Sequence, residues 1–276
     1  MQVSPLDHGH VSSKVIAFSQ LIHPTALISP NAKIGPNVSI GPYSIIGDNV
    51  SIGQGTIIGS HVSIQGWTQI GEENQIETGA IIGAVPQDLK FTGEKSTVFI
   101  GNNNIIREYV TINRGTAGGG GETRVGNHNL IMTSVHVAHD VQMGNNNIIA
   151  NAVAIGGHVV IDDWVTIGAL CGIHQFVQLG RMSMIGAQSK ITKDVLPYTL
   201  VSGNPPKRFG INVERLRRNG YSSSERIDIQ RAYKILFQEG QTLTDTIEML
   251  KKEFQKSMDV NYILKFLENS KRSFYR

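Results

Sequence analysis

The sequence predicts a parallel β-helix of triangular cross-section followed by a small C-terminal α-helical domain, and three observations carry that prediction. Isoleucine recurs at every sixth position from Ile22 through Ile28, Ile34, Ile40, Ile46, Ile52, Ile58, Ile64, Ile70 and Ile76 to Ile82. The residue after it is commonly glycine (Gly35, Gly41, Gly47, Gly53, Gly59, Gly71, Gly83), and the residue four on is small or β-branched, as at Ala26, Val38, Ser44 and Thr56. Such hexapeptide character is a β-helix signature. In the last quarter the apolar period changes to i, i+3, i+4, i+7, which is helical.

Six residues suit a short strand plus a tight corner, so three steps close one coil of 18 residues around an aliphatic interior. The glycines are expected at the corners, where a β-carbon would be awkward. Neighbouring strands lie about 4.8 Å apart, so residues 18 apart become stacked neighbours on one edge.

In chain order, residues 1–20 read as an extension and residues 21–197 as the β-helix, interrupted by loops at 84–98 and 113–124. The period returns in phase at Ile100, Ile106 and Ile112. It slips by one residue across the second loop, which contains Gly118-Gly119-Gly120-Gly121, and resumes at Val125, Ile131, Val137 and Met143 through to Ile191. Pro197 and Pro205-Pro206 mark the junction to a helical domain at 198–276. Its apolar stripes are Ile229, Ala232, Tyr233, Leu236; Leu243, Ile247, Leu250, Phe254; and Val260, Ile263, Leu264, Leu267. Ser222 with Glu225 predicts a capping box, and Gly240 a break between helices.

Composition excludes several classes. With 40% apolar and 17% charged residues among 276, the chain is neither disordered nor membrane-spanning by composition. No segment approaches the ~20 apolar residues that cross a bilayer, and Val15-Ile16-Ala17-Phe18 is too short for a signal-peptide core. A single cysteine, Cys171, excludes an intramolecular disulfide framework and fits a cytoplasmic location. A net charge of +3 is too slight to argue for nucleic acid.

A filled interior leaves chemistry to outward residues, loops and surfaces between chains. The densest polar cluster is His136-Val137-Ala138-His139-Asp140, with His158 and His174-Gln175 beyond it. In the frame of Val137, His136 points outward and His139 falls at a corner. Steps of 18 place His139, Gly157 and Gln175 on one edge, and Asp140 beside His158. These are the parts of an acyl-transfer site. A histidine takes a proton from a hydroxyl as general base, an aspartate fixes its tautomer, and a glycine leaves its amide approachable by an oxyanion. Cys171 falls in an inward slot and reads as a small apolar residue. Two other readings stay open at this level: histidines decorating a polar edge, and zinc held by outward histidines between chains.

Further segments are distinctive: Gln87-Asp88-Leu89-Lys90-Phe91-Thr92-Gly93-Glu94, Ile106-Arg107-Glu108 through Asn113-Arg114-Gly115-Thr116, and Asn204-Pro205 through Gly210-Ile211-Asn212-Val213-Glu214. With the isoleucine array and the His136–Asp140 run, they closely resemble the acyl-(acyl-carrier-protein):UDP-N-acetylglucosamine O-acyltransferases of lipid A biosynthesis, from about Leu21 to the end. The resemblance implies a left-handed β-helix and a homotrimer with active sites between subunits. It also implies transfer of a 3-hydroxyacyl chain from acyl carrier protein to the 3-hydroxyl of UDP-N-acetylglucosamine, with no metal or cofactor. By the same resemblance His139 is the base, Asp140 its support and the Gly157 amide the oxyanion donor. Gln87, Asp88, Lys90, His136, His158, His174 and Gln175 match substrate-contacting positions, and Asn212, Glu214 and Arg218 match positions at the nucleotide end.

Ala187 matches the position that limits acyl-chain length, with Met184 beside the same groove. One departure is Asn219 after Arg218, where the family often has a second basic residue; this shifts the expected diphosphate contact towards Arg217 and Arg218. Lys234, Lys251, Lys252, Lys256, Lys265, Lys271 and Arg272 offer a basic surface for an acidic carrier protein. Two rivals remain: a related hexapeptide acyltransferase using another donor, such as coenzyme A, or a 3-amino sugar acceptor, and a metal-dependent trimer of carbonic-anhydrase type.

Overall fold

The computed structural model describes residues 21–270 and 272–275; the expected extension at 1–20 and Lys271 of the basic surface lie outside them. The chain winds as a left-handed parallel β-helix whose strands, mostly two residues long, form three sheets of nine, eight and ten strands. The first sheet starts at Leu27–Ile28, the second at Lys33–Ile34 and the third at Ser39–Ile40. Register follows the 18-residue arithmetic: Ile28 lies beside Ile46, Ile46 beside Ile64 and Ile64 beside Ile82. Strands this short hold because all but those at the sheet ends are hydrogen-bonded on both sides and the aliphatic residue of each is turned inside. Ile64, Ile82, Ile100, Ile112, Ile131 and Val137 are fully buried, and burial of such a side chain contributes roughly 1.5–3 kcal/mol.

The two loops rewrite the register in a way the period conceals. Ile82 stacks on Ile112, and Ile112 on Val137. The in-phase return at Ile100 is therefore no simple coil: Ile100 pairs with Ile70 instead. The first excursion leaves strand Ile81–Ala84 and rejoins at Thr97–Ile100. The second runs from Thr111–Asn113 to Glu122–Val125.

The reason for the glycines differs from the expectation. The left-handed corner residue comes three positions after each inward aliphatic and is usually not glycine: Asn37, Tyr43, His61, Asp140, His158 and Phe176 all have φ between 55° and 66°. Glycine directly follows the aliphatic because the next coil is too close. A β-carbon on Gly53 would lie 2.6 Å from the carbonyl of Gly71, and one on Gly41 would lie 2.7 Å from that of Gly59.

The junction also falls later than 198. Strand Thr199–Ser202 adds to the third sheet beside Met184–Ile185 and turns back antiparallel into Lys207–Ile211. Val195 and Val201, both buried, still fill the prism interior there, so the solenoid has to continue to cover them. Helices follow at α1 (Val213–Arg218), α2 (Ser223–Leu236), α3 (Leu243–Glu253) and α4 (Met258–Asn269). Ser222 and Glu225 form the expected capping box, and Thr242 with Asp245 forms a second. The stripes of α2 and α4 are buried against each other, whereas α3 buries Leu250 and Phe254 and leaves Leu243 at the surface. The chain end returns to the prism, where the Tyr275 hydroxyl accepts from the Thr192 and Lys193 amides. Among the described residues no helix is long and apolar enough to cross a membrane.

Candidate active site

The edge between the first and second sheets gathers His139, Asp140, Gly157, His158 and Phe176. The ladder is direct: the His158 amide donates to the His139 carbonyl at 3.1 Å, and the Phe176 amide to the Gly157 carbonyl at 3.0 Å. His139 is 9% exposed and Asp140 3%. Their side chains meet at 2.7 Å, His139 Nδ1 to Asp140 Oδ2. A carboxylate only accepts, so Nδ1 is the donor, and in the neutral imidazole Nε2 keeps its lone pair. Nε2 has no hydrogen-bond partner among the described residues.

The ring of His139 rests on Gly157. A β-carbon there would lie 2.6 Å from His139 Cε1 and 2.7 Å from Nε2, so this position excludes side chains to seat the imidazole. The Gly157 amide makes no hydrogen bond among the described residues. Its register explains why: two residues after the inward aliphatic the ladder needs no donor, and Pro36 and Pro42 occupy that slot elsewhere.

Asp140 is held by a part of the chain to which the sequence reading assigned no role. The Thr116 amide donates to Oδ1 at 2.8 Å and the Thr116 hydroxyl to Oδ2 at 2.6 Å, while Thr123 Oγ1 accepts from the Asp140 amide at 2.8 Å. The second loop then folds over the carboxylate: a β-carbon on Gly119 would lie 2.0 Å from Asp140 Cγ. The glycine run is thus partly a matter of clearance. Thr116 ends the distinctive segment Asn113-Arg114-Gly115-Thr116, but nothing in its spacing points at Asp140.

The remaining candidates divide. His158 sits edge-on to His139 at 5.1 Å and stacks on Phe176 at 4.4 Å; its Nε2 is 3.7 Å from Asp140 Oδ2, too long for a hydrogen bond. Burial lowers its pKa most; Asp140 and Asp88 oppose that, and His139 and Lys90 reinforce it. The first loop therefore brings Asp88 and Lys90 within electrostatic reach of this edge, and Gln87 is exposed beside them. His136 is outward, as expected. Its Nδ1 lies 2.7 Å from Thr111 Oγ1, and burial, then His139, lowers its pKa. His174 and Gln175 are exposed on the same edge, where the Gln175 carbonyl accepts from Arg272 at 3.3 Å.

Other candidates lie on other edges of the same chain. Ala187 is exposed at the corner between the third and first sheets, and Met184 is half-buried on the third. Asn212 caps α1: its side chain accepts from the Arg215 amide at 3.2 Å and donates to the Met182 carbonyl at 3.0 Å, by the corner between the second and third sheets. Glu214 pairs with Arg217 and Arg218, which hold its carboxyl below the usual range. Asn219 ends that helix, its amide donating to the Arg215 carbonyl. Cys171 is inward and 2% exposed; burial raises its thiol pKa.

The residues 194–275 match the family model described as "Udp N-acetylglucosamine O-acyltransferase; Domain 2". An acyl-(acyl-carrier-protein)–UDP-N-acetylglucosamine O-acyltransferase of Thiobacillus denitrificans is 45% identical over 92% of this chain and 99% of its own length. Among solved structures, LpxA from Acinetobacter baumannii superposes with a TM-score of 0.91 at 45% identity, covering 93% of this chain and all of that one. The UDP-N-acetylglucosamine O-acyltransferase of Moraxella catarrhalis gives 0.90 at 42% identity, again over 93% of this chain. An imidazole seated on a glycine at the edge of a left-handed β-helix thus stands in a chain that, by identity over nearly its whole length, belongs to the acyl-(acyl-carrier-protein):UDP-N-acetylglucosamine O-acyltransferase family.

Proposed function

We propose that the protein transfers a 3-hydroxyacyl chain from acyl carrier protein to the 3-hydroxyl of UDP-N-acetylglucosamine, the first step of lipid A biosynthesis. The observation that carries the mechanism is the seating of His139: Nδ1 bonded to a clamped aspartate, Nε2 open, and an unused glycine amide alongside. In this reading His139 Nε2 removes the proton from the sugar hydroxyl as its oxygen attacks the thioester carbonyl. The Gly157 amide donates to the oxyanion, an interaction worth about 10²- to 10³-fold. Collapse expels the carrier thiolate, which takes the proton back from the imidazolium, so no acyl-enzyme forms.

Gln87, Asp88, Lys90, His136, His158, His174 and Gln175 contact the substrates in this reading, Asn212, Glu214 and Arg218 the nucleotide end, and Ala187 with Met184 the acyl chain. These groups occupy three edges of one prism, and packing three copies side by side brings different edges together. That favours a homotrimer with shared sites. Mass spectrometry of the product made from UDP-N-acetylglucosamine and a panel of carrier-bound 3-hydroxyacyl thioesters tests acceptor and chain length. Transfer from acetyl-coenzyme A instead, or only to a 3-amino sugar, would replace this reading.

A metal reading has one observation in its favour: ligand atoms of His139, Asp140 and His158 lie within 4.8 Å of one another. Against it, His139 Nδ1 and Asp140 Oδ2 are hydrogen-bonded to each other at 2.7 Å, and Asp140 is already taken up by Thr116. Stoichiometric zinc in elemental analysis would favour the metal.

A further inference from the structure

The two loops that break the solenoid are joined to each other. Asn113 Nδ2 donates to the Val85 carbonyl at 3.0 Å, the Arg114 amide to that of Ala84 at 3.1 Å, and the Arg114 guanidinium lies 5.2 Å from the Phe91 ring. Further out a single side chain makes the link. One oxygen of Glu94 closes its own loop by accepting from the amide and hydroxyl of Thr92, at 2.9 and 3.2 Å. The other accepts from the Ala117 amide, 3.1 Å away in the second loop. Ala117 follows directly on Thr116, whose amide and hydroxyl grip Asp140. The Ala117 amide, ahead of the Glu94 and Thr92 amides, holds the Glu94 carboxyl down to about 2.

From this chain of contacts we infer that Glu94 is a positioning residue: it couples the loop carrying Asp88 and Lys90 to the Thr116 clamp that orients Asp140 and hence His139. The inference rests on the proposed role of His139 and goes beyond it, because it makes the substrate-contacting loop and the base one mechanical unit. Each link is short and polar. Ala117 begins a turn of only three residues, Ala117–Gly119, that lies directly over Asp140. With Glu94 removed, that turn loses its outer anchor, and the Thr116 donors lose their fixed direction. Hydrogen-bonded side chains acting in series behave as a unit, and their deletions do not multiply.

Steady-state kinetics with UDP-N-acetylglucosamine and a 3-hydroxyacyl carrier protein, run on the full chain, test this. Glu94→Ala is expected to lower kcat about tenfold and raise KM for the sugar nucleotide, with the thermal midpoint unchanged. Glu94→Gln, which keeps an acceptor oxygen for Ala117, is expected to recover most of the kcat. Combined with Thr116→Val, Glu94→Ala should add no further loss beyond the worse single variant. The coupling is overturned if Glu94→Ala keeps kcat within about twofold of the parent, if Glu94→Gln is as impaired as Glu94→Ala, or if the two single losses multiply. His139→Ala assayed alongside separates the two ideas. Full activity there removes the base; an inactive His139→Ala beside an unaffected Glu94→Ala removes the coupling alone.

Discussion

Two edges of the same prism use the same backbone for opposite ends. Between the second and third sheets, the inward slot four residues after the aliphatic carries Asn74, Asn104, Asn129 and Asn147, all at most 1% exposed. Each amide oxygen accepts the backbone N–H of the coil above: Asn104 on Asn74, Asn129 on Asn104 and Asn147 on Asn129 at 2.9 Å, and Val165 on Asn147 at 2.7 Å. An outer ladder runs in the opposite sense, the oxygens of Asn127, Asn145 and Asp163 accepting the backbone N–H groups of Asn102, Asn127 and Asn145 in the coil before. Between the first and second sheets the equivalent inward slots are Val141, Val159 and Val177, fully buried. There the polar groups face outward, and two of them, His139 Nε2 and the Gly157 amide, have no partner among the described residues. The first edge turns most of its hydrogen bonds on its own side chains, although Asn147 Nδ2 and Ser183 Oγ in the same inward slot are sealed without a partner among the described residues; the second keeps open groups on the outside of the prism and uses loops to hold them. A polar ladder whose unpaired groups are sealed inside is structural, and one whose open groups face out of the prism is where a reaction fits.

Substitutions on the two edges sharpen that contrast. The largest effect is expected from His139→Ala, a loss of about 10²- to 10⁴-fold in kcat with circular dichroism and oligomeric state unchanged. Retained turnover would return this edge to decoration. Next, Gly157→Ala pushes a methyl into the imidazole and is expected to cost about 10²-fold in kcat through misplacement of the base. On the asparagine edge the comparison is Gly126→Ala, one slot earlier in the repeat, whose β-carbon would lie 2.5 Å from the Gly144 carbonyl oxygen. That variant should lose thermal stability while the folded enzyme keeps its kcat.

Asn129→Ala should lower unfolding free energy by ~2 kcal/mol in urea titrations, since it strands the Asn147 amide and the Gly144 carbonyl, again without touching kcat. Equal kinetic damage from both edges would show that the distinction has no functional content.

The smallest effect concerns pH. Burial chiefly depresses His136 and His158 from their ordinary 6.5, so the unfolded chain binds these protons more readily. Their stabilising contribution is present above 6.5 and drains away as pH falls below it. His136→Gln should therefore flatten the decline in urea midpoint between about pH 7.5 and about pH 5.5. An unchanged slope would mean that other groups carry it.

Much of this was legible because a β-helix is nearly one-dimensional. Ile28, Ile46, Ile64 and Ile82 stack as the six-residue step requires, and His139, Gly157 and Gln175 fall on one edge from counting alone. Ser222 and Glu225 announced their capping box in the same local way. Counting failed where the chain left the repeat. Ile100 returned in phase yet belongs beside Ile70, because the first loop inserts a multiple of the repeat and the phase carries no trace of it. The strand Thr199–Ser202 was hidden behind Pro197, which reads locally as an end although Val201 still had a core to fill. Thr242–Asp245 follows the same local spacing as Ser222–Glu225, with the shorter aspartate in place of glutamate.

By itself, then, the sequence determined what repeats: the aliphatic interior, the pitch of the coil, and so the stacking of an imidazole over a glycine, since short-range sterics and a fixed strand spacing leave a hexapeptide array no other register. Only the tertiary structure decided what holds the aspartate. Thr116, Gly119 and Glu94 lie in irregular loops whose paths follow no period. Their meeting over Asp140 depends on backbone groups finding acceptors across gaps of more than 20 residues, from Glu94 to Ala117 and from Thr116 to Asp140.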